Sequence, residues 1–202
     1  QTKKIITTLK KVKTPSVSLL RQSKKIIPGN NDKFNKIISK LSSQLDENSS
    51  SYLLGRYLQV DKVLKAIIKI NNKASVLILA RYNFALPTPS EMSLHKEKFP
   101  NLNLIKNTIH SSKGKEADFV IILELQSGKN GFPSEKTMNP LLDALLPTPE
   151  DFEFAEERRL FYVAVTRAKE RSYLITDMTS SSVFVNELIK DNYQIELNEF
   201  DI

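Results

Sequence analysis

Two unbroken apolar runs, in "ASVLILARYN" (74–83) and "ADFVIILEL" (117–125), limit the fold more than any other feature of this chain. Aliphatic and β-branched residues without polar interruption describe strands covered on both faces. A parallel sheet with helices layered on either side covers strands in that way. The pattern around these runs agrees. "LNLIKNTIH" (102–110), "RSYLITD" (171–177) and "YQIELNEF" (193–200) read as further strands, and "DKVLKAIIKI" (61–70), a short segment from about Ser90 and "SSVFVNELIK" (181–190) as helices. Nearer the start, "TPSVSLLRQ" (14–22) is expected to be a strand, residues 30–48 a helix and "SSS" (49–51) a loop, while "YLLGRYLQV" (52–60) fits either regular element. The expectation is an α/β fold with a mostly parallel sheet. Residues 1–50 would be a basic segment of the same domain, and 51–202 its body.

Charge and composition narrow the function classes. The chain of 202 residues carries a net +7, yet residues 1–40 alone hold eleven basic residues against one acid, Asp32, a net of +10. The remainder therefore sums to −3. A basic end on a near-neutral body suits a polyanion, or else a solvated lysine-rich surface. With no cysteine, disulfides, thiolate zinc sites and a cysteine nucleophile are excluded, and with two histidines no histidine zinc site is expected. No apolar run has the length of a membrane span. The start "QTKKIITTLK" has no leader pattern and no Met, which reads as a piece of a longer, cytoplasmic chain without a membrane partner.

Two stretches carry chemistry. "HSSKGKEAD" (110–118) links two strands through Ser, Lys and Gly, a composition whose backbone N–H groups cradle phosphates, or a plain surface turn. It is not a Walker A loop. Ile109 stands where that motif needs its first Gly, and Glu116 follows Lys115 in place of Ser or Thr. His110 closes a strand at the expected carboxyl edge, where ligands bind in open α/β sheets. His95, in a charged helix, is expected at the surface. The second stretch, "EERRLFYVAVTRAKE" (156–170), reads as a helix apolar nearly all round and therefore buried between other elements. Arg167 at its end is either one more cation facing the negative helix terminus or a planar fork for phosphate.

Together the two stretches resemble motifs V and VI of the UvrD-like superfamily 1 DNA helicases, and "LQSGKNGFP" (125–133) between them matches the loop carried there by that family. The resemblance spans residues 74 to 177 and is loose before them. It implies a RecA-like second motor domain, of the P-loop NTPase type but lacking its own Walker A loop. ATP with Mg2+ would be held mainly by an N-terminal motor domain of the same chain, with single-stranded DNA running across both. Arg167 then matches the catalytic arginine that reaches the γ-phosphate, Glu116 the acid near the ribose, and Gly114 the turn beside it. Thr108, His110 and Lys113 fall in the motif V region, the first two at positions facing DNA. Arg81 and Asn83 of "ARYN" resemble an Arg–x–Asn at a strand end near the DNA, with Tyr82 and Phe84 open to base stacking or to core packing. The family's Tyr–Arg motif is not found in residues 1–50, and Lys115 and Ala117 replace the Leu and Phe of many relatives. The alternatives are a non-catalytic nucleic-acid-binding module and the helicase part of a nuclease-linked repair complex. The fragment alone is expected to hydrolyse no ATP.

Overall fold

The computed structural model describes residues 5–10, 47–135, 153–177, 180–191 and 195–199. Six strands form one sheet in the order β3-β2-β4-β5-β1-β6. They are β1 (Ile5–Lys10), β2 (Ser75–Ala80), β3 (Asn103–Thr108), β4 (Ala117–Ile122), β5 (Ala168–Ile175) and β6 (Ile195–Glu199), and every pairing between them is parallel. The α/β expectation holds. β1 lies between β5 and β6, and residues 50 and 51 both fall inside a helix. The expected strand 14–22 and most of the expected helix 30–48 lie outside the described residues.

Period-2 alternation sorts the strands' side chains onto two faces. Val76, Ile78, Ala80, Phe119, Ile121, Tyr173 and Ile175 enter one core. Leu77, Leu79, Val120, Ile122 and Leu174 enter the other. The first core is closed by α1 (Glu47–Ile70) and α2 (Pro89–Lys98), the second by α3 (Ala155–Thr166) and α4 (Val183–Lys190).

α1 presents Val60, Val63, Leu64 and Ile67 at i, i+3, i+4 and i+7, all buried. It runs unbroken from Glu47, so "SSS" is helix and not loop, and "YLLGRYLQV" is helix too. Serine's low helix propensity amounts to a few tenths of a kcal/mol per residue, roughly, and a packed downstream face with cooperative propagation outweighs it. α2 opens on a capping box: Thr88 accepts from the Glu91 backbone N–H, and Glu91 accepts from that of Thr88. Its His95 is fully buried, not at the surface, because α2 turns Glu91, Met92 and His95 together towards α1. The imidazole stacks on Tyr57 at 4.3 Å between centroids.

α3 also corrects the sequence reading. It lies on one face of the sheet only. Leu160 and Ala164 are buried, but Tyr162 is 71% exposed and Glu156 and Arg159 face solvent. Under it the "GFP" loop supplies Phe132, fully buried in edge contact with Phe161 and Phe184. Gly131 is required there, since a Cβ would fall 2.1 Å from the Gln126 carbonyl oxygen.

Candidate functional site at the two edges of the sheet

Because all strands run the same way, the sheet has a carboxyl edge and an amino edge. The candidate residues divide between them. At the carboxyl edge β2 and β3 end in register, Ala80 beside Thr108, and the Ile109 N–H donates to the Ala80 carbonyl at 3.0 Å. Arg81 follows β2 directly. It is part-buried, and its guanidinium grips the Glu157 carboxylate: Nε lies 2.9 Å from both oxygens and Nη2 2.6 Å from Oε1. That pairing raises the Arg81 guanidinium above its ordinary value. Nη1 stands 3.5 Å from His110 Nδ1, a long contact that needs the tautomer with an unprotonated Nδ1. Thr108 shares a hydroxyl contact of 2.9 Å with Ser111, and Asn83 and His110 are exposed.

Glu157 reaches this edge because α3 runs antiparallel to the strands and begins here. Phe154, its N-cap, adopts a left-handed conformation with φ 56°. The next residue, Arg158, turns to α4 and pairs with Glu187 at 2.5 and 2.7 Å. By sequence alone, Glu156 and Glu157 merely suit the positive N-terminal end of a helix. Arg81 and Glu157 are 76 residues apart, and no local pattern joins them.

The far end of α3 delivers Arg167 to the amino edge. Its carbonyl accepts from the Ala117 N–H at 3.0 Å, just where β4 and β5 begin beside each other. Glu116 therefore stands next to Arg167 along this edge. The Arg167 Nε donates back to the Val163 carbonyl at 3.1 Å, which closes the helix end, while its Nη groups make no hydrogen bond or ion pair among the described residues. Residues 109–116 cross from one edge to the other. Lys113 and Gly114 lie on this crossing, and Gly114 has φ 78°, a conformation that side chains rarely adopt. Lys115 Nζ reaches back to Asn107 Oδ1 at 3.1 Å. From Glu157 to Arg167 a helix advances about 15 Å, so the structure brings Arg81 to His110 and Arg167 to Glu116, and holds the two pairs apart.

The family model for the UvrD-like helicase C-terminal domain matches residues 2–179, from before β1 to past the end of β5. The chain belongs to this family. Its sheet is thus the RecA-like α/β sheet of a UvrD-like helicase C-terminal domain. DNA helicase IV of Escherichia coli (strain K12) is 45% identical over 116 residues, 57% of this chain and 16% of that protein. ATP-dependent DNA helicase PcrA of Staphylococcus epidermidis is 38% identical over 77 residues, 38% of this chain and 9% of that protein. PcrA of Staphylococcus aureus (strain Mu50) is 39% identical over a stretch of the same length. This UvrD-like domain therefore spans a small fraction of the proteins it resembles. No helix among its described residues is long and apolar enough to cross a membrane.

Proposed function

We propose that this UvrD-like domain is the second motor domain of an ATP-driven 3′-to-5′ DNA helicase or translocase. The observation that supports this reading best is the division of one sheet into two differently equipped edges, spanned by a single helix. On the amino edge, Arg167 supplies the fork to the γ-phosphate, with Gly114 and Glu116 beside the rest of the nucleotide. On the carboxyl edge and the crossing loop, Thr108, His110, Lys113, Arg81 and Asn83 face single-stranded DNA. ATP and its Mg2+ rest mainly on the N-terminal motor domain of the same chain, and the metal supplies charge neutralisation at the phosphates when bound.

The residues present fit that division of labour. Arg167 is anchored through Nε, and its two Nη groups are left for an anion, which is the end that binds phosphate in a bidentate way. A guanidinium fixed at one nitrogen costs less entropy to place than a mobile lysine, and charge held in position acts on the transition state without reorganisation. An arginine finger contributes roughly 10³- to 10⁵-fold in phosphoryl transfer. Rigid α3 couples the edges: a shift that moves Arg167 also moves Glu157, and with it Arg81 and His110.

Arg167→Ala in the full-length protein tests the reading. ATP affinity is expected near that of the parent, with DNA-stimulated turnover down about 10³-fold or more. Equal turnover in mutant and parent reduces Arg167 to a helix-end charge and removes the reading's catalytic core.

A further inference from the structure

Four large apolar side chains are exposed among the described residues: Ile70, Phe84, Ile105 and Tyr162. Phe84 differs from the others in being stacked. Its ring lies 5.3 Å from that of Tyr82 with planes 10° apart, and it remains 61% exposed. On the same short loop the Arg81 guanidinium carbon stands 5.0 Å from the Tyr82 ring centroid. Guanidinium, phenol ring and phenyl ring thus form a short ladder that ends in solvent. Core packing, the ordinary fate of a phenylalanine after a buried strand, is excluded for this one.

The ladder is held from below. Residues 83–85 make a 3-10 turn whose Ala85 and Leu86 enter the core. The Phe84 carbonyl accepts from Arg56 Nη1 at 3.1 Å. Arg56 is itself 2% exposed and gripped by Glu91 through Nε at 3.3 Å and Nη2 at 2.6 Å. A buried, charge-paired arginine therefore fixes the backbone of a residue whose side chain is left outside. Such preorganisation lowers the ordering cost of whatever stacks on the ring.

We propose that Phe84, backed by Tyr82, is a stacking platform for one base of single-stranded nucleic acid at the carboxyl edge; this rests on the DNA-motor reading above. The size of the feature selects the occupant. One exposed ring stacked on Tyr82 is far smaller than the roughly 800 Å² per partner of a stable protein interface, but it matches the π-face of a nucleobase. Its position agrees, since Arg81 joins the ladder to His110 and the end of β3, where Thr108 and Ser111 carry exposed hydroxyls. Stacking reads no donor pattern, so the platform accepts any base, as a motor moving along arbitrary sequence requires.

The test uses the full-length protein and two labelled single strands of equal length and charge, one of thymidines and one wholly abasic. Binding is followed by fluorescence anisotropy for the parent, Phe84→Leu and Phe84→Trp. Phe84→Leu is expected to weaken binding of the thymidine strand roughly 5- to 150-fold, to leave the abasic strand unchanged, and to keep the parent's salt dependence, because no phosphate contact is lost. Phe84→Trp is expected to bind the thymidine strand at least as tightly as the parent. If the parent binds thymidine better than abasic strand and Phe84→Leu does the same with equal affinity, the platform is wrong while the motor reading stands. Equal losses on both strands overturn it in favour of a structural or protein-docking role. A parent that binds neither strand overturns the DNA reading itself.

Discussion

On the α1/α2 face, Arg56 and Glu91 form a fork-to-carboxylate pair with 2% of each side chain exposed. At the carboxyl edge, Arg81 and Glu157 form the same kind of pair at 20% and 13%. The chemistry is alike and the surroundings are not. Arg56 and Glu91 are enclosed with Tyr57, Asp61 and His95, and the Arg56 donors go to the Glu91 carboxylate and the Phe84 carbonyl. Arg81 and Glu157 sit part-exposed at the carboxyl edge, within reach of solvent. A buried pair is expensive to break because the surviving charge has nowhere to go, whereas a rim pair gives its charge back to water. The first therefore belongs to the core, the second to the rim of the sheet.

The largest expected effect comes from breaking the enclosed pair. Arg56→Ala leaves Glu91 charged and buried, and urea unfolding of the domain should show a loss of about 3–5 kcal/mol. Arg56→Leu combined with Glu91→Leu should lose less than Arg56→Ala alone, since no uncompensated charge remains. A double variant no better than the single would mean that the Thr88 cap and the Phe84 carbonyl, rather than charge, account for the cost.

The next effect is set by pH. Burial is the main cause that pushes His95 down to about 4, against the pull of Asp61 and Glu91 towards the charged form and with the help of nearby Lys98. Neither ring nitrogen has a hydrogen-bond partner among the described residues. Between the ordinary value of 6.5 and about 4, the unfolded chain binds a proton that the folded one refuses. Stability therefore falls as pH drops through that window, by about 3 kcal/mol in all, and this contribution levels off below it. His95→Phe, which keeps a ring against Tyr57, should flatten the slope of unfolding free energy between pH 6.5 and 4. Asp118, held low by the Ser75 N–H and hydroxyl, and Glu187, held low by Arg158, act in the same direction but only as pH falls through the carboxylate range. An unchanged slope in His95→Phe would assign the whole effect to such carboxylates.

The rim should respond least. Glu157→Gln is expected to cost about 1 kcal/mol or less in unfolding experiments, and Arg158→Ala, whose pair with Glu187 is 38% and 40% exposed, a few tenths, roughly. A Glu157→Gln loss as large as that of Arg56→Ala would erase the distinction between the two regions.

Much of the fold was legible in the sequence. The runs ending in Ala80 and Ile122 read as covered strands, and the spacing of Val63, Leu64 and Ile67 as a helix face, while Val60 before them stood in a stretch that fitted either element. Strand boundaries were less so: "RSYLITD" became Ala168–Ile175 because β5 starts directly from the end of α3. "IITTLK" passed for part of a basic tail, although its β-branched run carried the signal for β1. His95 was legible in hindsight from Met92 and Phe99 at i−3 and i+4, which its charged neighbours Lys96, Glu97 and Lys98 obscured.

The sequence by itself determined the period of most elements after residue 60 and the two motif strings that mark the family. Only the tertiary structure decided that Arg167 lies on the amino edge, that β1 lies between β5 and β6, that Glu157 answers Arg81 across 76 residues, and that α3 shows Tyr162 to solvent. The reason is physical. Periodicity records which face of an element is dry, because that depends on neighbours three or four residues away. It carries no record of the partner across the sheet, which is chosen by chain crossings and by charges that meet only after the core has closed.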